Sequence, residues 1–474
     1  MKTEVDACVS DVSPHDFTLK RKLENRHIQL ISISGAIGTG LFMGAGKAIS
    51  LSGTSILLVY AIIGAFIYFV MRAMGEILLS NLKFNSFADF VTEYLGQQAG
   101  FILAWTYWLC WCVAAVADMV MVTGFFQYWY PSAPSWAPGL ITASILIALN
   151  LLAVKVFGEV EFWLGIIKIL AIVALIITSV VLVMNAAVSP NGVTASISNL
   201  IEPGSILPHG VMGFFAGFQI AIFSFNGTEL IGTTAAEAKN PETTIKKAIN
   251  TIPFRILLFY VLSLAGIISV ISWAHVPSNR SPFVELFLFA GLPAAAGIIN
   301  FVVLTSAASS ANSGIYSAGR MLFSLAHNRR APAALGYTTK FGVPGNAILF
   351  TGLTIIIGVT LLFFISEIMT IFIMVSTVAA VGGLFVWSMI LLSYLAYRAK
   401  NPEANRASTF RLPGGVPTAV AMLGFILFVV GLLILDNDTR TAVFLMPLWI
   451  FCLAVAYQVK VKKNISSAEQ ILAP

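Results

Sequence analysis

The sequence predicts an all-α, polytopic membrane protein of about twelve helices, folded as a 5+5 inverted repeat with helices 1 and 6 broken. Three observations predict it. The 474 residues are 58% hydrophobic and only 10% charged, whereas soluble domains carry about 25% charged residues. Apolar runs of roughly 18 to 25 residues recur from end to end, each long enough for a hydrocarbon core about 30 Å thick. Two of these runs, five spans apart, are interrupted at their middles by small and polar residues.

The spans fall near 28–48, 53–80, 99–129, 136–154, 160–184, 209–234, 252–273, 289–318, 346–365, 369–396, 416–435 and 442–459. Residues 1–27 and 464–474 read as polar tails, and 28–463 as one membrane domain. Its repeats are 28–184 and 209–396, with two appended helices over 416–459. "SFADFVTEYLG" (86–96) is short and amphipathic, which suits an interfacial helix between spans two and three. "PSAPSWAP" and "LPGGVP" are turn chemistry at span ends.

The net charge of +6 does not point to nucleic acid. With the N-terminus placed inside, 23 of the 27 Lys and Arg residues lie on the cytoplasmic side. Lys47, Arg280 and Arg440 lie on the other side, and Lys168 lies within a span. The positive-inside rule accounts for this asymmetry and places both termini in the cytoplasm of a cell (inner) membrane protein. The first 27 residues lack an apolar core and a small-residue cleavage site, so the first span is expected to act as its own insertion signal. Cys8, Cys110, Cys112 and Cys452 form neither a disulfide framework nor a zinc spacing. The five histidines fall in loops or at span ends, without metal-ligand spacing at depth. No metal, cofactor or enzymatic chemistry is expected.

The first interruption is "SGAIGTGLFMGAG" (34–46), where Gly38, Gly40 and Gly44 form a GxGxxxG. A dinucleotide loop would need a preceding strand and an acidic residue some 20 positions on; residues 51–69 instead read "LSGTSILLVYAIIGAFIYF". The second is "FSFNGTELIG" (223–232). Backbone that leaves helical geometry at mid-membrane survives only beside a cavity or ligand. Two interrupted helices at matching places in oppositely oriented halves are the sequence pointer to a transporter's binding site. The freed N–H groups at a half-helix start suit a carboxylate, and freed carbonyls at the end of the preceding half suit an ammonium. The pair fits a zwitterion.

Ionisable groups at depth are functional hypotheses by default. Glu229, in the second break, reads either as a proton acceptor or gate element, or as a brace for unwound backbone. Lys168 lies about 12 Å into span five at 1.5 Å per residue; it either snorkels to the surface or turns its ammonium into the bundle. Facing inward, with its proton affinity lowered by burial, it would couple transport to protons. Asp118, deep in span three, suits a substrate or proton contact and equally a structural hydrogen bond. Glu76 and Arg72 suit interfacial contacts, and Glu159 and Glu161 read as solvated. Span eight carries "LTSAASSANSGIYSAGRMLF"; its small residues allow close packing, and Ser306, Ser309 and Ser310 are candidate oxygens near Lys168.

The stretches "LENRHIQLISISGAIGTGLF", "FFAGFQIAIFSFNGTELIGTTAAEAKNPE" and "TSAASSANSGIYSAGRMLF" together resemble the bacterial amino-acid permeases of the amino acid–polyamine–organocation superfamily. The likeness runs over nearly all of the chain after the first twenty residues. It implies the inverted-repeat fold and a substrate carboxylate held near Gly38, Thr39 and Gly40. It also implies a substrate ammonium near Ala36 in span one and near Phe223, Ser224 and Asn226 in span six. Lys168 matches a span-five lysine that family members without sodium dependence carry in the vacated cation site, and Glu229 matches the acidic position after the break. Asn226 departs from the pattern, where an apolar residue is expected; an amide there favours a hydroxylated or larger side chain. The expected activity is proton-coupled import of small neutral amino acids (glycine, alanine and serine, D-enantiomers included) across the lipid bilayer. The alternatives are a permease or exchanger for another amino acid and, from another class, a non-transporting nutrient receptor.

Overall fold

Leu, Ile, Val, Phe and Ala fill the apolar runs, and in a bilayer each run must satisfy its own backbone hydrogen bonds, which the α-helix does. The computed structural model describes residues 37–84, 86–152, 154–189, 192–234, 240–339, 342–365 and 367–461. The helices in chain order are α1 (Thr39–Phe42), α2 (Gly44–Ser52), α3 (Ile56–Ser80), α4 (Phe87–Leu95), α5 (Gln97–Gln127), α6 (Ala137–Asn150) and α7 (Val154–Met184). There follow α8 (Gly210–Phe225), α9 (Leu230–Thr234), α10 (Pro241–Asn250), α11 (Ile252–Arg255), a π-helical segment (Ile256–Leu262) and α12 (Ser263–Ile271). The remainder are α13 (Pro282–Phe289), α14 (Pro293–His327), α15 (Gly345–Val359), α16 (Ile368–Lys400), α17 (Pro402–Ala407), α18 (Gly415–Leu435) and α19 (Asn437–Ala456). No strand occurs among the described residues; an isolated bridge joins Val188 and Thr194.

Ten helical stretches among the described residues are long and apolar enough to cross a membrane. The first, Gly44–Ser80, holds α2 and α3, which Gly53 separates with a left-handed φ of 60°. The sequence predicts two spans there. The expected half-span and tail at 1–36, and the tail at 464–474, lie outside the described residues. At 14 residues, α6 is shorter than expected. The polar connection predicted at 235–251 contains α10, whose Thr244, Ile245, Ala248 and Ile249 are buried at helical spacing. Its helical geometry runs on through α11 and the π segment into α12, so one stretch extends from Pro241 to Ile271.

The centre and the rim of the bundle differ in burial. The apolar window of α5 is 78% buried, against 22% for α18 and 28% for α19. Large side chains such as Leu427, Phe444, Leu448 and Phe451 point outward, a surface no soluble monomer exposes at this scale. On α5 lie α14 and α16, with α8 against α2 and α16. The first break, α1, touches both α5 and α8, which brings the two interrupted segments together next to the central helix.

The amphipathic α4 starts with a capping box, Ser86 and Asp89 reciprocally bonding the opening backbone. Its sequence suits the lipid interface, but Phe87 and Phe90 are fully buried and α4 packs on α5 and α16. Its apolar face is satisfied by protein. Glu76 and Glu161 are also fully buried, which corrects the interfacial and solvated readings. Both corrections have one cause: each carboxylate meets polar partners from a segment distant in sequence. Glu76 accepts hydrogen bonds from Asn405 Nδ2 and from Leu412 N (2.6 Å), with Arg398 Nη1 3.9 Å away.

Candidate substrate site between two helix breaks

Thr39 begins a helix after an extended Gly38 (φ −125°, ψ −160°), so the chain enters helical geometry at the centre of the predicted glycine motif. The opening N–H groups of such a turn have no partner within the helix. Opposite, α8 ends at Phe225, Gly227 takes a φ of 103°, and α9 resumes at Leu230. Only glycine adopts that φ without strain. The two breaks touch at Gly40, where an added Cβ would lie 2.7 Å from Ser224 Cα and Oγ. Glycine is required there for backbone approach.

Gly38, Thr39, Gly40, Asp118, Phe223, Ser224, Asn226 and Ser310 line one cavity together with Trp111 and Ala114. Its volume is about 20 Å³, space for roughly one water-sized guest. Seven of the eight predicted substrate contacts are therefore brought together; Ala36 lies outside the described residues. Trp111 and Ala114 were missed. Helical spacing was the signal: Trp111, Ala114 and Asp118 stand at i, i+3 and i+7, on one face of α5.

The polar groups of the cavity are partly committed. Thr39 Oγ1 donates to Asp118 Oδ1 (2.7 Å), which ties the first break to α5. Asp118 Oδ2 is buried without a hydrogen-bond partner of good geometry among the described residues. Tyr260 donates its hydroxyl to the Ser224 carbonyl (3.0 Å), and Asn226 N–H donates to the Phe223 carbonyl (3.1 Å). Each carbonyl oxygen retains a second lone pair. Asn226 Nδ2 donates to Ala379 O (3.0 Å), so the amide is oriented by α16 and its Oδ1 is left buried without a partner among the described residues.

Glu229 turns back on its own break. Both carboxylate oxygens accept from Gly227 N–H, at 3.2 and 3.1 Å, and the side chain does not line the cavity. Lys168 is 1% exposed, so its ammonium stays inside the bundle, within electrostatic reach of Glu161 and Asp118. The three serines of α14 divide their work. Ser306 Oγ donates to Ile37 O (3.0 Å), Ser309 Oγ donates to Glu161 Oε2 (2.7 Å), and Ser310 borders the cavity beside Gly38. Among the described residues no group of three or more His, Cys, Asp or Glu side chains is placed to hold a metal.

A vestibule of about 660 Å³ lies next to this site. Met43, Met121 and Phe125 line it, with Arg280 and Glu285 (3.6 Å apart), Gln127 and Glu367. Met43 immediately follows α1, and Met121 stands three residues beyond Asp118.

The amino acid permease family model matches residues 27–470. The chain belongs to the amino acid permease family. This permease is 50% identical over 457 residues to a D-serine/D-alanine/glycine transporter of Escherichia coli, covering 96% of this chain and 97% of that one. An amino-acid permease of Bacillus subtilis, AapA, is 45% identical over 446 residues, covering 94% and 96%. A DL-alanine permease of Lactococcus lactis is 42% identical over 418 residues, covering 87% and 90%. The permease is thus a multi-pass, all-helical membrane protein whose relatives are transporters.

Proposed function

We propose that this permease imports small neutral amino acids, with glycine, alanine and serine of either hand as the leading substrates, together with protons. The single observation that carries the reading is the convergence of the two helix breaks and Asp118 on one small cavity. The relatives named for D-serine, D-alanine and glycine and for DL-alanine support a substrate with little or no side chain. The substrate carboxylate meets the opening N–H groups at Thr39 and Gly40. Its ammonium meets the free lone pairs at Phe223 and Ser224, with Asp118 Oδ2 as a further acceptor. Asn226 sets what the side chain of the substrate meets, and Ala36 is kept as the carbonyl of the first break.

Lys168 is the coupling group. Held inside the bundle near two carboxylates, it fills the cation site when charged and releases it when neutral. Glu229 braces the second break, the role its hydrogen bonds favour of the two open to it. The fold is read as the 5+5 repeat over 28–184 and 209–396 with two added helices, and both termini as cytoplasmic. Rocking of the repeat bundle about the mid-membrane site would carry the substrate across. The chain carries out no covalent chemistry in this scheme and needs no cofactor.

Uptake of labelled glycine, D-serine, L-serine and D-alanine into proteoliposomes under an imposed pH gradient tests the proposal. Accumulation should follow the proton gradient and ignore sodium. Sodium-driven uptake indifferent to pH would remove the proton, and failure of all four to compete would remove the substrate class. Lys168→Ala should lose gradient-driven accumulation while keeping substrate binding.

A further inference from the structure

Glu161 is a fully buried carboxylate that the substrate cavity does not use. Its surroundings are built for it. Ser309 Oγ donates to Oε2 (2.7 Å) and Asn312 Nδ2 donates to Oε1 (2.8 Å), both from α14. Behind Asn312 stands Asn150 of α6, whose Nδ2 donates to Asn312 Oδ1 (2.7 Å) and which is itself buried. The hydroxyl of Ser313 is buried in the same stretch. Burying a carboxylate is costly unless hydrogen bonds and an opposite charge compensate, and here both are supplied. Glu161 and Lys168 are seven residues apart, two turns on one face of α7, and Glu161 acts electrostatically on the Lys168 ammonium.

The groups facing this pair can be named. From α5 comes Asp118, from α14 Ser309, Asn312 and Ser313, and from α6 Asn150. Glu159 lies half-buried on α7 itself. The packed face of α12 holds no ionisable residue, the π segment carries Tyr260, whose hydroxyl donates to the Ser224 carbonyl, and on α13 the ionisable residue is Glu285, which lines the vestibule. Along the bundle the polar groups therefore run from Thr39 and Asp118, through Lys168, to Glu161 and the Asn312–Asn150 pair toward the start of α7.

We propose that Glu161 is the proton exchange partner of Lys168 on the side of the bundle away from the vestibule. In the step, the Lys168 ammonium gives one proton to the Glu161 carboxylate, leaving a neutral amine and a neutral carboxyl. The carboxyl then releases that proton to water on that side of the bundle and returns to its hydrogen bonds with Ser309 and Asn312. Charge is conserved within the pair during the transfer, so neither group is left as an isolated ion in the interior. Neutralising Lys168 in this way empties the cation site and allows the bundle to reset. The inference rests on the coupling role given to Lys168 above.

Glu161→Gln tests it, because glutamine keeps the shape, accepts from Asn312 and donates to the Ser309 hydroxyl while carrying no exchangeable carboxyl. In proteoliposomes loaded with a pH-sensitive dye, Glu161→Gln should lose substrate-induced lumenal acidification. Its pH-driven accumulation of labelled glycine should fall at least about tenfold, while counterflow exchange of glycine stays within about twofold of the parent. Glu161→Asp, which restores a carboxyl, should recover part of the acidification. Parent-like acidification in Glu161→Gln, or loss of counterflow together with accumulation, would overturn the inference. Lys168→Ala run in parallel separates the two claims. If it too accumulates glycine normally, the coupling role falls; if it alone loses accumulation, only the role of Glu161 falls.

Discussion

At the residue scale, Gly40 and Asp118 make the sharpest demands. A methyl group on Gly40 would press against the Cα of Ser224, which cannot swing away as a side-chain tip can. Gly40→Ala should therefore force the two breaks apart and weaken glycine binding by at least about tenfold, or about 1.4 kcal/mol. Equilibrium binding of labelled glycine to purified protein checks this, with unaltered affinity as the contrary result. Asp118→Asn keeps an acceptor for the Thr39 hydroxyl but removes the charge. A hydrogen bond to a charged group contributes about 1.5 to 3 kcal/mol, so affinity should drop by about ten- to a hundredfold if Asp118 holds the ammonium. A purely structural Asp118 would leave affinity nearly unchanged in this variant.

At the element scale, the second break depends on a local brace. Gly227 sits at φ 103°, and its N–H is held by the Glu229 carboxylate two residues on. Forcing a non-glycine residue into such a conformation costs about 1 to 3 kcal/mol. Glu229→Gln retains an acceptor for that N–H and should keep most glycine uptake and its proton dependence, whereas Glu229→Ala should lose uptake. Uptake measured across external pH checks the pair; a Gln variant that transports without proton dependence would return Glu229 to a coupling role. The break itself was legible because Asn226, Gly227 and Glu229 interrupt an apolar helix within a few residues. Its brace was legible only as one of two roles. Glu161 was illegible as a buried group, since its partners Ser309 and Asn312 lie about 150 positions away and nothing local marks the pairing. Its same-face spacing from Lys168 was the available signal. Span ends were read less well than spans, because α10 to α12 form one continuous helical stretch whose buried face is set by packing on α3 up to the π segment and on α7 beyond it.

At the scale of the whole molecule, the two ends of the bundle are unlike. On one side the vestibule reaches Met43 and Met121, immediately beside the substrate cavity. On the other, Glu76 at the end of α3 is sealed beneath Asn405, Leu412 and Arg398, and Arg72 packs its guanidinium 3.8 Å from the Phe410 ring centroid while donating to Asn250 (3.0 Å). The larger cavity, about 660 Å³, therefore lies at the Arg280 end, and a smaller one of about 360 Å³, bordered by Ser80, Lys246 and Phe410, lies at the Glu76 end. Under the topology read from the basic residues, Arg280 and the vestibule face outward and Glu76 faces the cytoplasm. Met43→Cys, made with the four native cysteines replaced, should therefore react with a membrane-impermeant maleimide added outside intact cells. Glycine at saturating concentration should slow that reaction by at least about tenfold, because a small ligand beside α1 blocks the floor of the vestibule and shifts the population away from the open state. Arg440→Cys, on the same outer side by charge but remote from the cavity, should react at a rate indifferent to glycine. Rapid labelling of Met43→Cys from the cytoplasmic side of inverted vesicles, with none from outside, would reverse the assigned orientation. Equal rates with and without glycine would detach the vestibule from the transport path.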